Sequence, residues 1–424
     1  MIRRKMSGWF SFWRVQTKLE ECTGPFFVGC TDLMCAKDEF TGVSTVAGSF
    51  IRFFYPAEKT AATLNESKRC FWIPRQQYAS GLVNFMKLPV WLLGRFFYWC
   101  VGGLQIPAIY NAPLCKPTGE EQLLPCVVFS HGLGGNRLIY STYCCELASH
   151  GCLVACVEHR DESASATYVL KKNEGDEKTT EEWIQYRHLQ ANDDGSELRN
   201  KQVHIRANEC ISAHNILENI QSGRFPTNLF QENSILQQLK GRLDLKKFAV
   251  VGHSFGGATT VLTLAKDKRF RCGVALDVWM LPLGKEIYNY NLDQPLLFVN
   301  SQQFHRWDQN MDPLKKLIND KPETRSIIAI RWTRHMNQCD IPSVLPPYML
   351  YWTSLGSKLD PTTAVKLNRQ AIWAFLRRHL DIGNPPVREP VIDGGEGTPE
   401  YIIIGPEFIT EEEHKKLDTA KSSL

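Results

Sequence analysis

The segment GHSFG at residues 252–256 places a serine between two glycines and is the strongest chemical signal in the chain. An apolar, β-branched run at 248–251 precedes it, and a helix-favouring run at 258–266 follows it. A strand, a sharp turn and a helix form the context that a nucleophilic serine needs in a G-x-S-x-G pattern. Because the pattern alone arises by chance in roughly one chain of this size in eight, its meaning depends on the partners of Ser254.

The first partner to find is a base. A serine hydroxyl attacks a carbonyl effectively when a histidine takes its proton and a carboxylate orients that histidine. Four of the eleven histidines follow Ser254. His379 and His414 lie in an amphipathic segment and in an acidic tail, and we expect both to face solvent. His305 and His335 each follow an apolar strand, and we favour His335 because it follows the last predicted strand of the core.

The carboxylate has two possible positions. Asp277 directly follows the strand predicted at 272–276. Asp308 and Asp312 follow the next strand, at 295–300. A side chain at the end of a parallel strand projects toward the edge of the sheet where ligands bind, and position alone leaves the two choices nearly equal. A structural alternative for Asp277 is the capping of a turn.

Apolar runs alternate with amphipathic segments along the chain, which is typical of a parallel sheet covered by helices. A glycine-rich turn at 130–135 follows an early strand, where a second oxyanion donor is often found. Its spacing matches neither a phosphate-binding loop nor a dinucleotide fingerprint. The predicted strands are 48–55, 124–129, 152–157, 248–251, 272–276, 295–300 and 326–330, and the predicted helices are 75–86, 140–150, 203–220, 258–266 and 361–379.

The 424 residues could form one large α/β domain or two smaller ones, and we predict a single domain at 24–382. Residues 1–23 are predicted to be a flexible leader. Residues 383–424, rich in Pro, Gly and Glu, are predicted to be a loosely ordered tail. The polar residues 169–200 are predicted to form a surface insertion. A net charge of +4 is too small and too dispersed to predict nucleic-acid binding.

The cysteines and the N-terminus bear on location. Several of the 14 cysteines fall in or beside apolar runs, with no C-x-x-C pair and no zinc-ligand spacing, so we expect them to be reduced and the protein to be intracellular. The basic start is not followed by an uninterrupted apolar run, so no secretory signal is expected. Ile2 does not fit the myristoylation pattern.

The most apolar stretch of the chain is residues 90–104, which contain WLLGRFFYWC. It is too short to span a bilayer, so no transmembrane helix is expected. On a helical wheel Arg95 and Tyr98 lie near one side, while apolar side chains cover most of the rest. Two interpretations stay open, a buried core helix and a helix that docks on lipid. The apolar positions are Leu92, Leu93, Phe96, Phe97 and Trp99.

Five ordered motifs stand out along the chain: FSHGLGGNR (129–137), VEHRDESASATY (157–168), VGHSFGGATT (251–260), VALDVWMLPLG (274–284) and HMNQCD (335–340). They resemble the platelet-activating factor acetylhydrolase family, the calcium-independent phospholipases A2 of the lipoprotein-associated and type II intracellular kinds. The likeness extends over about 24–382 and includes GPFFVGCTDLM near the start. It implies an α/β-hydrolase fold, a single domain whose mostly parallel central sheet is flanked by helices. Without a predicted signal peptide, the chain is more similar to the intracellular type II enzyme.

The resemblance also implies roles for individual residues. The nucleophile of the family corresponds to Ser254, its acid to Asp277 and its base to His335, which decides between the rival acids. Its oxyanion donors correspond to the backbone N–H groups of Leu133 and Phe255. The substrate pocket or membrane-facing surface would include Trp91, Leu92, Leu93, Phe96, Phe97 and Trp279.

Two regions bear further on the comparison with the family. A second interfacial segment of the family corresponds to 346–355. The family has a shorter, glycine-bearing turn before its histidine, whereas RWTR at 331–334 precedes His335 here. Ile341 stands where the family has a phenylalanine.

The sequence and the resemblance together predict a cytoplasmic serine esterase that associates peripherally with membranes and needs no metal or cofactor. Its substrate would be a phospholipid at a membrane or micelle surface, from which it removes short or oxidised sn-2 acyl groups, including the acetyl group of platelet-activating factor. The oligomeric state is left open. One alternative is a general carboxylesterase or neutral-lipid lipase on the same scaffold. Another is a non-catalytic homologue that binds lipid or a partner, which the unusual loop before His335 favours.

Overall fold

The computed structural model describes residues 18–36, 47–60, 65–117, 123–172, 179–345, 350 and 356–407. Within these residues, one sheet of eleven strands forms the centre of the molecule and a two-stranded hairpin lies apart from it. The strands are β1 (Phe27–Met34), β2 (Phe50–Ala57), β3 (Arg69–Phe71), β4 (Gln105–Tyr110), β5 (Leu124–Ser130), β6 (Leu153–Val157), β7 (Ala166–Lys172), β8 (Thr179–Gln185), β9 (Leu243–His253), β10 (Cys272–Leu276), β11 (Leu296–Ser301), β12 (Arg325–Ile330) and β13 (Ile402–Ile404).

The large sheet has the order β13-β12-β11-β10-β9-β5-β6-β2-β1-β4-β3. The six strands from β12 to β6 pair in parallel, while β13 and β2 add antiparallel neighbours on the two sides. Every residue of β5, β6, β10 and β11 is buried, as expected for parallel strands covered on both faces. The carboxyl ends of the parallel strands therefore meet along one edge of the sheet, as the predicted α/β-hydrolase fold requires.

Helices cover both faces of the sheet. They are α1 (Gln76–Phe85), α2 (Val90–Val101), α3 (Ser141–Ser149), α4 (Gly195–Gln221), α5 (Ser234–Leu239), α6 (Phe255–Lys266), α7 (Gln302–His305), α8 (Asp308–Asp320), α9 (Ile341–Val344), α10 (Pro361–His379) and α11 (Pro390–Asp393).

The helices and the sheet bury two apolar cores. One core packs α1, α3 and α10 against Val127 and Phe129, and the other packs α4, α6 and α8 against Cys126 and Val128. The alternation of side chains along β5 explains this division, because successive residues of a strand point to opposite faces.

The predicted elements are all present, with small shifts at most of their ends. The main exception is α4, which begins at Gly195 rather than near Val203 because the Asp194 carboxylate accepts the N–H groups of Ser196 and Glu197. A carboxylate at this position satisfies N–H groups that have no partner inside the helix. The first two turns of the helix are mostly polar, so the spacing of apolar residues does not indicate them.

The predicted surface insertion contains a β-hairpin that the sequence analysis did not identify. Strands β7 and β8 pair from Ala166↔Gln185 to Lys172↔Thr179. The rings of Tyr168 and Trp183 lie 4.8 Å apart across this pair. Cross-strand aromatic contacts of this kind stabilise a hairpin whose outer face is polar.

Packed structure extends beyond both ends of the predicted domain at 24–382. Before residue 24, the Leu19 N–H donates to the Gln105 carbonyl, and Leu19 is buried. In the predicted loose tail, β13 pairs with β12 and extends the central sheet. Backbone pairing with an edge strand orders a short apolar run, Ile402–Ile404, that the surrounding Pro and Gly residues obscure. Residues 1–17 and 408–424 lie outside the described part of the chain.

A buried ion cluster joins the N-terminal strands to the loop after β5. Arg52 donates to both carboxylate oxygens of Asp32, at 2.8 and 2.7 Å. Arg137 lies 3.4 Å from the same carboxylate and 2.6 Å from that of Glu158. Burial alone raises the pKa of Asp32, but the charges and hydrogen bonds of Arg52 and Arg137 outweigh it and hold this pKa well below its usual value.

We expect Asp32→Asn to lower the free energy of unfolding at pH 7 by about 3–5 kcal/mol, because it leaves two buried guanidinium groups short of a charge partner. Since the folded-state pKa of Asp32 is depressed, its stabilisation is complete above the unfolded pKa of about 4 and is lost as the pH falls below it. Guanidinium chloride titrations from pH 7 to pH 3 measure both effects. Asp381→Asn, in an exposed pair with Arg271, is the control and should change the free energy by at most about 0.5 kcal/mol. An equal effect of the two variants would contradict the prediction.

Candidate active site

Ser254 occupies the turn between β9 and α6, with backbone angles φ 59° and ψ −114°. A Cβ added at Gly252 would lie 2.1 Å from the Gly256 carbonyl oxygen, and one added at Gly256 would lie 2.0 Å from the Ser130 carbonyl oxygen. Only glycine fits at either position. The Ser254 N–H donates to the Leu276 carbonyl at 2.8 Å, which ties the turn to β10. Surrounding backbone thus holds Ser254 in a left-handed conformation that would be unfavourable by itself.

Asp277 directly follows β10 and is fully buried. Its Oδ1 accepts the Ser301 N–H at 2.5 Å, and its Oδ2 accepts the Ser301 hydroxyl at 2.7 Å. The same Oδ2 lies 2.9 Å from Nδ1 of His335. Because Ser301 ends β11, the two neighbouring strands β10 and β11 fix the carboxylate from both sides.

His335 begins a 3₁₀ turn, His335–Gln338, beyond the end of β12. Its Nε2 lies 3.0 Å from Oγ of Ser254. The His335 ring stacks on Phe304 with 4.3 Å between centroids, and the backbone N–H of His335 donates to Oε1 of Gln303 at 3.0 Å. Since Nδ1 faces a carboxylate, it carries the ring proton, and Nε2 is left to accept from the Ser254 hydroxyl. This arrangement can transfer a proton away from a serine as it attacks a carbonyl.

The unusual segment before His335 is a tight, hydrogen-bonded turn. Trp332 has a positive φ of 59°. The Thr333 hydroxyl donates to the Ile330 carbonyl at 2.6 Å and accepts the Gln302 N–H at 3.2 Å. The departure from the family's usual sequence therefore leaves His335 within hydrogen-bonding distance of Ser254.

The rival acids and bases lie elsewhere. Asp308 and Asp312 are exposed on α8. His305 is buried, and burial lowers its pKa to about 4, so it is neutral at physiological pH. His379, expected to face solvent, is partly exposed: its ring packs 4.3 Å from that of Phe375, and partial burial lowers its pKa to about 4. His414 lies outside the described residues.

The two predicted oxyanion donors lie on either side of Ser254. Phe255 is the first residue of α6, so its N–H has no acceptor within the helix. Leu133 lies in the glycine-rich loop after β5, and among the described residues no oxygen accepts its N–H. Both N–H groups can therefore donate to an oxygen bound beside the serine.

A cavity of about 530 Å³ opens beside Ser254 and His335. Its walls are mostly apolar. They come from the α1–α2 helix pair, the loops after β5 and β10, α7 together with Trp307, and the segment 335–345. Predicted pocket residues Leu93, Phe96, Phe97 and Trp279 line it, as do Phe85 and Trp307, which the sequence analysis did not single out. A volume of this size is typical of a small-molecule site.

Helix α2 is not a core helix, because Gly94 and Val101 are its only buried residues. Trp91 and Trp99 are 81% and 80% exposed. Leu92 and Phe96 are about half exposed, at 53% and 51%. An apolar patch on this scale is uncommon on a protein that meets only water. Among the described helices, none has the length and hydropathy needed to cross a bilayer, and the predicted second interfacial segment falls almost wholly outside the described residues.

Within the described part of the chain, the residues closest to forming a metal site are His253, Asp277 and His335, whose potential ligand atoms lie within 4.8 Å of one another. Each of them already makes a hydrogen bond through its side chain. His253 contacts Tyr140 rather than solvent, and burial, together with the nearby His335, holds the pKa of His253 well below its usual value. Asp277 and His335 thus belong to a hydrogen-bonded relay with Ser254, whereas His253 belongs to a separate contact with Tyr140.

Sequence analysis missed several residues that support this site. Ser301, which binds Asp277, could have been found because it ends the strand next to β10. Phe304 gave no comparable signal, since its contact with His335 joins two separate segments of the chain. Tyr140 lies only eight residues from Gly132, but no motif marks its hydroxyl as a partner of the glycine-rich loop.

Comparisons with known proteins agree with the fold and the motifs. The chain matches the family model described as platelet-activating factor acetylhydrolase, isoform II, over residues 12–389. The platelet-activating factor acetylhydrolase of Gallus gallus is 42% identical over 366 residues, which cover 85% of this chain and 83% of that protein. A putative phospholipase A2 of Schizosaccharomyces pombe is 27% identical over 78% of this chain and 83% of its own length.

Among solved structures, a ferulic acid esterase from Streptomyces cinnamoneus superposes with a TM-score of 0.61. The likeness covers 92% of this chain and 99% of that one at 16% sequence identity, which shows the fold alone. The family match over most of the chain identifies the family, which the fold alone cannot do. This chain belongs to the platelet-activating factor acetylhydrolase family of carboxylic ester hydrolases.

Proposed function

We propose that this chain hydrolyses the sn-2 acetyl, short or oxidised acyl esters of platelet-activating factor and related glycerophospholipids, releasing a lysophospholipid and a free acid. The observation that carries the proposal is the Ser254–His335–Asp277 relay, which opens into an apolar cavity beside an exposed apolar helix. Homology to proteins named for this activity supports the choice of substrate.

The proposed reaction begins with attack by Oγ of Ser254 on the ester carbonyl while Nε2 of His335 takes the hydroxyl proton. Asp277 keeps the ring oriented and stabilises its positive charge. The N–H groups of Leu133 and Phe255 donate to the oxyanion, each worth on the order of 3 kcal/mol. His335 then protonates the departing lysophospholipid oxygen. Water, deprotonated by the same histidine, releases the acid from Ser254 in the second half of the cycle.

We propose that the α1–α2 helix pair is the surface that contacts lipid. Phe96 and Phe97 line the cavity, while Trp91 and Trp99 extend from the same helix into solvent. Tryptophan is favoured at the boundary between headgroups and acyl chains. A phospholipid could thus enter the cavity from a membrane or micelle surface without crossing bulk water, and we propose a cytoplasmic, peripherally bound enzyme.

Two other functions remain alternatives. A general carboxylesterase or neutral-lipid lipase would use the same relay but would turn over soluble or neutral esters faster than phospholipids. A non-catalytic homologue that binds lipid or a partner would lack turnover altogether, and the hydrogen-bonded position of His335 argues against it.

Ser254→Ala is expected to lower kcat by about 10⁵-fold or more, because the nucleophile of an acyl-enzyme cycle has no substitute. Hydrolysis of platelet-activating factor, measured as released acetate, provides the test. Ser67→Ala, which alters an exposed serine far along the chain, is the control and should keep full activity. No metal takes part in the proposed cycle, so EDTA should leave the rate unchanged. Turnover by Ser254→Ala would refute the proposal, and so would loss of the wild-type activity when EDTA is added.

Phosphatidylcholines with sn-2 chains of two, six, nine and sixteen carbons separate the proposed specificity from the alternatives. We expect kcat/KM to fall at least tenfold between the shortest and the longest chain, because a cavity of about 530 Å³ has to hold the ester and part of the glycerol backbone as well as the acyl group. A soluble aryl acetate and a triacylglycerol serve as comparison substrates. Faster turnover of either one than of short-chain phospholipids would favour a general esterase or a lipase.

Replacing both exposed tryptophans, Trp91→Ser with Trp99→Ser, should weaken binding to phosphatidylcholine vesicles about tenfold or more while leaving soluble-ester turnover within twofold. The reason is the loss of apolar area that would leave water at the lipid surface. Vesicle sedimentation measures the binding. Phe71→Ser with Leu189→Ser, two positions that are each 49% exposed, is the matched control. Equal losses of vesicle binding in both pairs would show that α2 has no special role.

A further inference from the structure

A hydrogen-bonded contact behind the oxyanion loop connects the two halves of the proposed site. The Gly132 N–H donates to the Tyr140 hydroxyl at 3.0 Å, and that hydroxyl lies 2.8 Å from Nδ1 of His253. We propose that Tyr140 is a positioning residue for ester hydrolysis. Its hydroxyl fixes the His131–Gly132 peptide so that the N–H of the next peptide, that of Leu133, points at the oxyanion. The inference rests on the proposed function and deepens it.

The direction of each hydrogen bond follows from the atoms present. The Tyr140 oxygen accepts from Gly132, so its own proton must go to another acceptor, and Nδ1 of His253 is within reach. Burial and the neighbouring His335 hold the pKa of His253 well below its usual value, which keeps the imidazole neutral. A neutral ring with an accepting Nδ1 carries its proton on Nε2. The Tyr140 hydroxyl therefore has a donor on one side and an acceptor on the other.

The Gly132 carbonyl is held independently. His159 donates its N–H to Nε2 of His131 at 3.2 Å, so the proton of His131 is on Nδ1, which donates to the Gly132 carbonyl at 2.8 Å. The Gly135 N–H donates to the same oxygen at 3.0 Å. The Gly132 carbonyl and the Leu133 N–H belong to one planar peptide and point in opposite directions. Anchoring this oxygen in the loop therefore directs the Leu133 N–H away from the loop.

Tyr140 supplies the hold on the other side of Gly132. Arg206 donates to the His131 carbonyl, and Tyr140 accepts the N–H of the same peptide. Both peptides that flank the Gly132 α-carbon are thereby fixed. A Cβ at Gly132 would lie 3.0 Å from the Tyr140 hydroxyl and 3.3 Å from Cβ of Ser254, so this hydroxyl, the loop and the nucleophile are in close proximity.

Tyr140 is itself rigidly placed. It is 2% exposed, precedes α3, and packs its ring 5.0 Å from that of Phe129. Its carbonyl accepts the N–H groups of Tyr143 and Cys144. Removing only the hydroxyl would preserve this packing while releasing the Gly132 N–H and Nδ1 of His253. An effect on the reaction could then be assigned to those two contacts.

We expect Tyr140→Phe to lower kcat for a soluble acetate ester by 10- to 100-fold with KM within threefold, less than the 10²–10³ loss for deleting an oxyanion donor outright. The matched control is Tyr55→Phe. Tyr55 is also fully buried, and its hydroxyl donates to the Ala112 carbonyl at 2.8 Å. The control should lose similar stability and keep its kcat, as thermal melts and steady-state kinetics would show.

A second readout isolates the oxyanion. Sulfur accepts hydrogen bonds weakly, so a thionoester, with C=S in place of C=O, gains little from the Leu133 and Phe255 donors. The ratio of kcat/KM for the ester to that for its thionoester should fall in Tyr140→Phe by about the same factor as kcat. A purely structural change slows both substrates alike and leaves this ratio at its wild-type value, which is the result expected for Tyr55→Phe.

An unchanged ratio in a folded Tyr140→Phe variant overturns the inference. If that variant does not fold, His253→Asn and His253→Leu answer the same question, since only asparagine offers an amide oxygen to the Tyr140 hydroxyl. The ratio of ester to thionoester kcat/KM should be larger in the asparagine variant than in the leucine variant, and equal ratios would overturn the inference. Ser254→Ala separates the two levels of argument. If it is inactive while Tyr140→Phe matches Tyr55→Phe, the inference alone fails, and if it is active the proposed function fails as well.

Discussion

The close approach of two backbones, the first turn of α6 and the end of β5, is the constraint on which the rest of this site depends. A Cβ at Gly256 would lie 2.0 Å from the Ser130 carbonyl oxygen, so the helix can reach the strand only through glycine. This contact places Ser254 and the N–H of Phe255 directly beside the loop that carries Leu133. A larger residue at Gly256 would separate the nucleophile from one of its two proposed oxyanion donors.

Parallel register then assembles the remaining groups. Leu276 of β10 pairs with Val299 of β11, and Ser301 of β11 pairs with Ile330 of β12. The strand ends therefore lie side by side, and the residues just beyond them meet at one edge. Asp277 comes from the first strand, its partner Ser301 from the second, and His335 from the loop after the third. Three strands thus fix three groups without any long flexible connection.

The polar relay lies at the base of an apolar cavity, and the same helix pair forms the wall of the cavity and the exposed apolar patch. Gly94 allows α2 to approach α1 closely, since a Cβ there would lie 2.7 Å from Oγ of Ser80. Low polarity around the relay strengthens its hydrogen bonds and the oxyanion contacts. The exposed apolar surface of α2 would place the apolar cavity next to the lipid. This geometry is the basis of our proposal that the ester is presented at a membrane surface.

The sequence by itself determined the elbow, the parallel core and the choice of Ser254 as the proposed nucleophile, because apolar runs and paired glycines are local signals. It also limited the proposed base to His305 or His335, but it left Asp277 a rival of Asp308 and Asp312 until the resemblance was considered. Only the tertiary structure decided that α2 is exposed rather than buried, since its apolar composition fits both environments. The hydroxyl of Tyr140 likewise gave no signal. Its contact with His253 joins segments that only folding brings together, and its contact with Gly132, eight residues away, depends on the path of the loop between them.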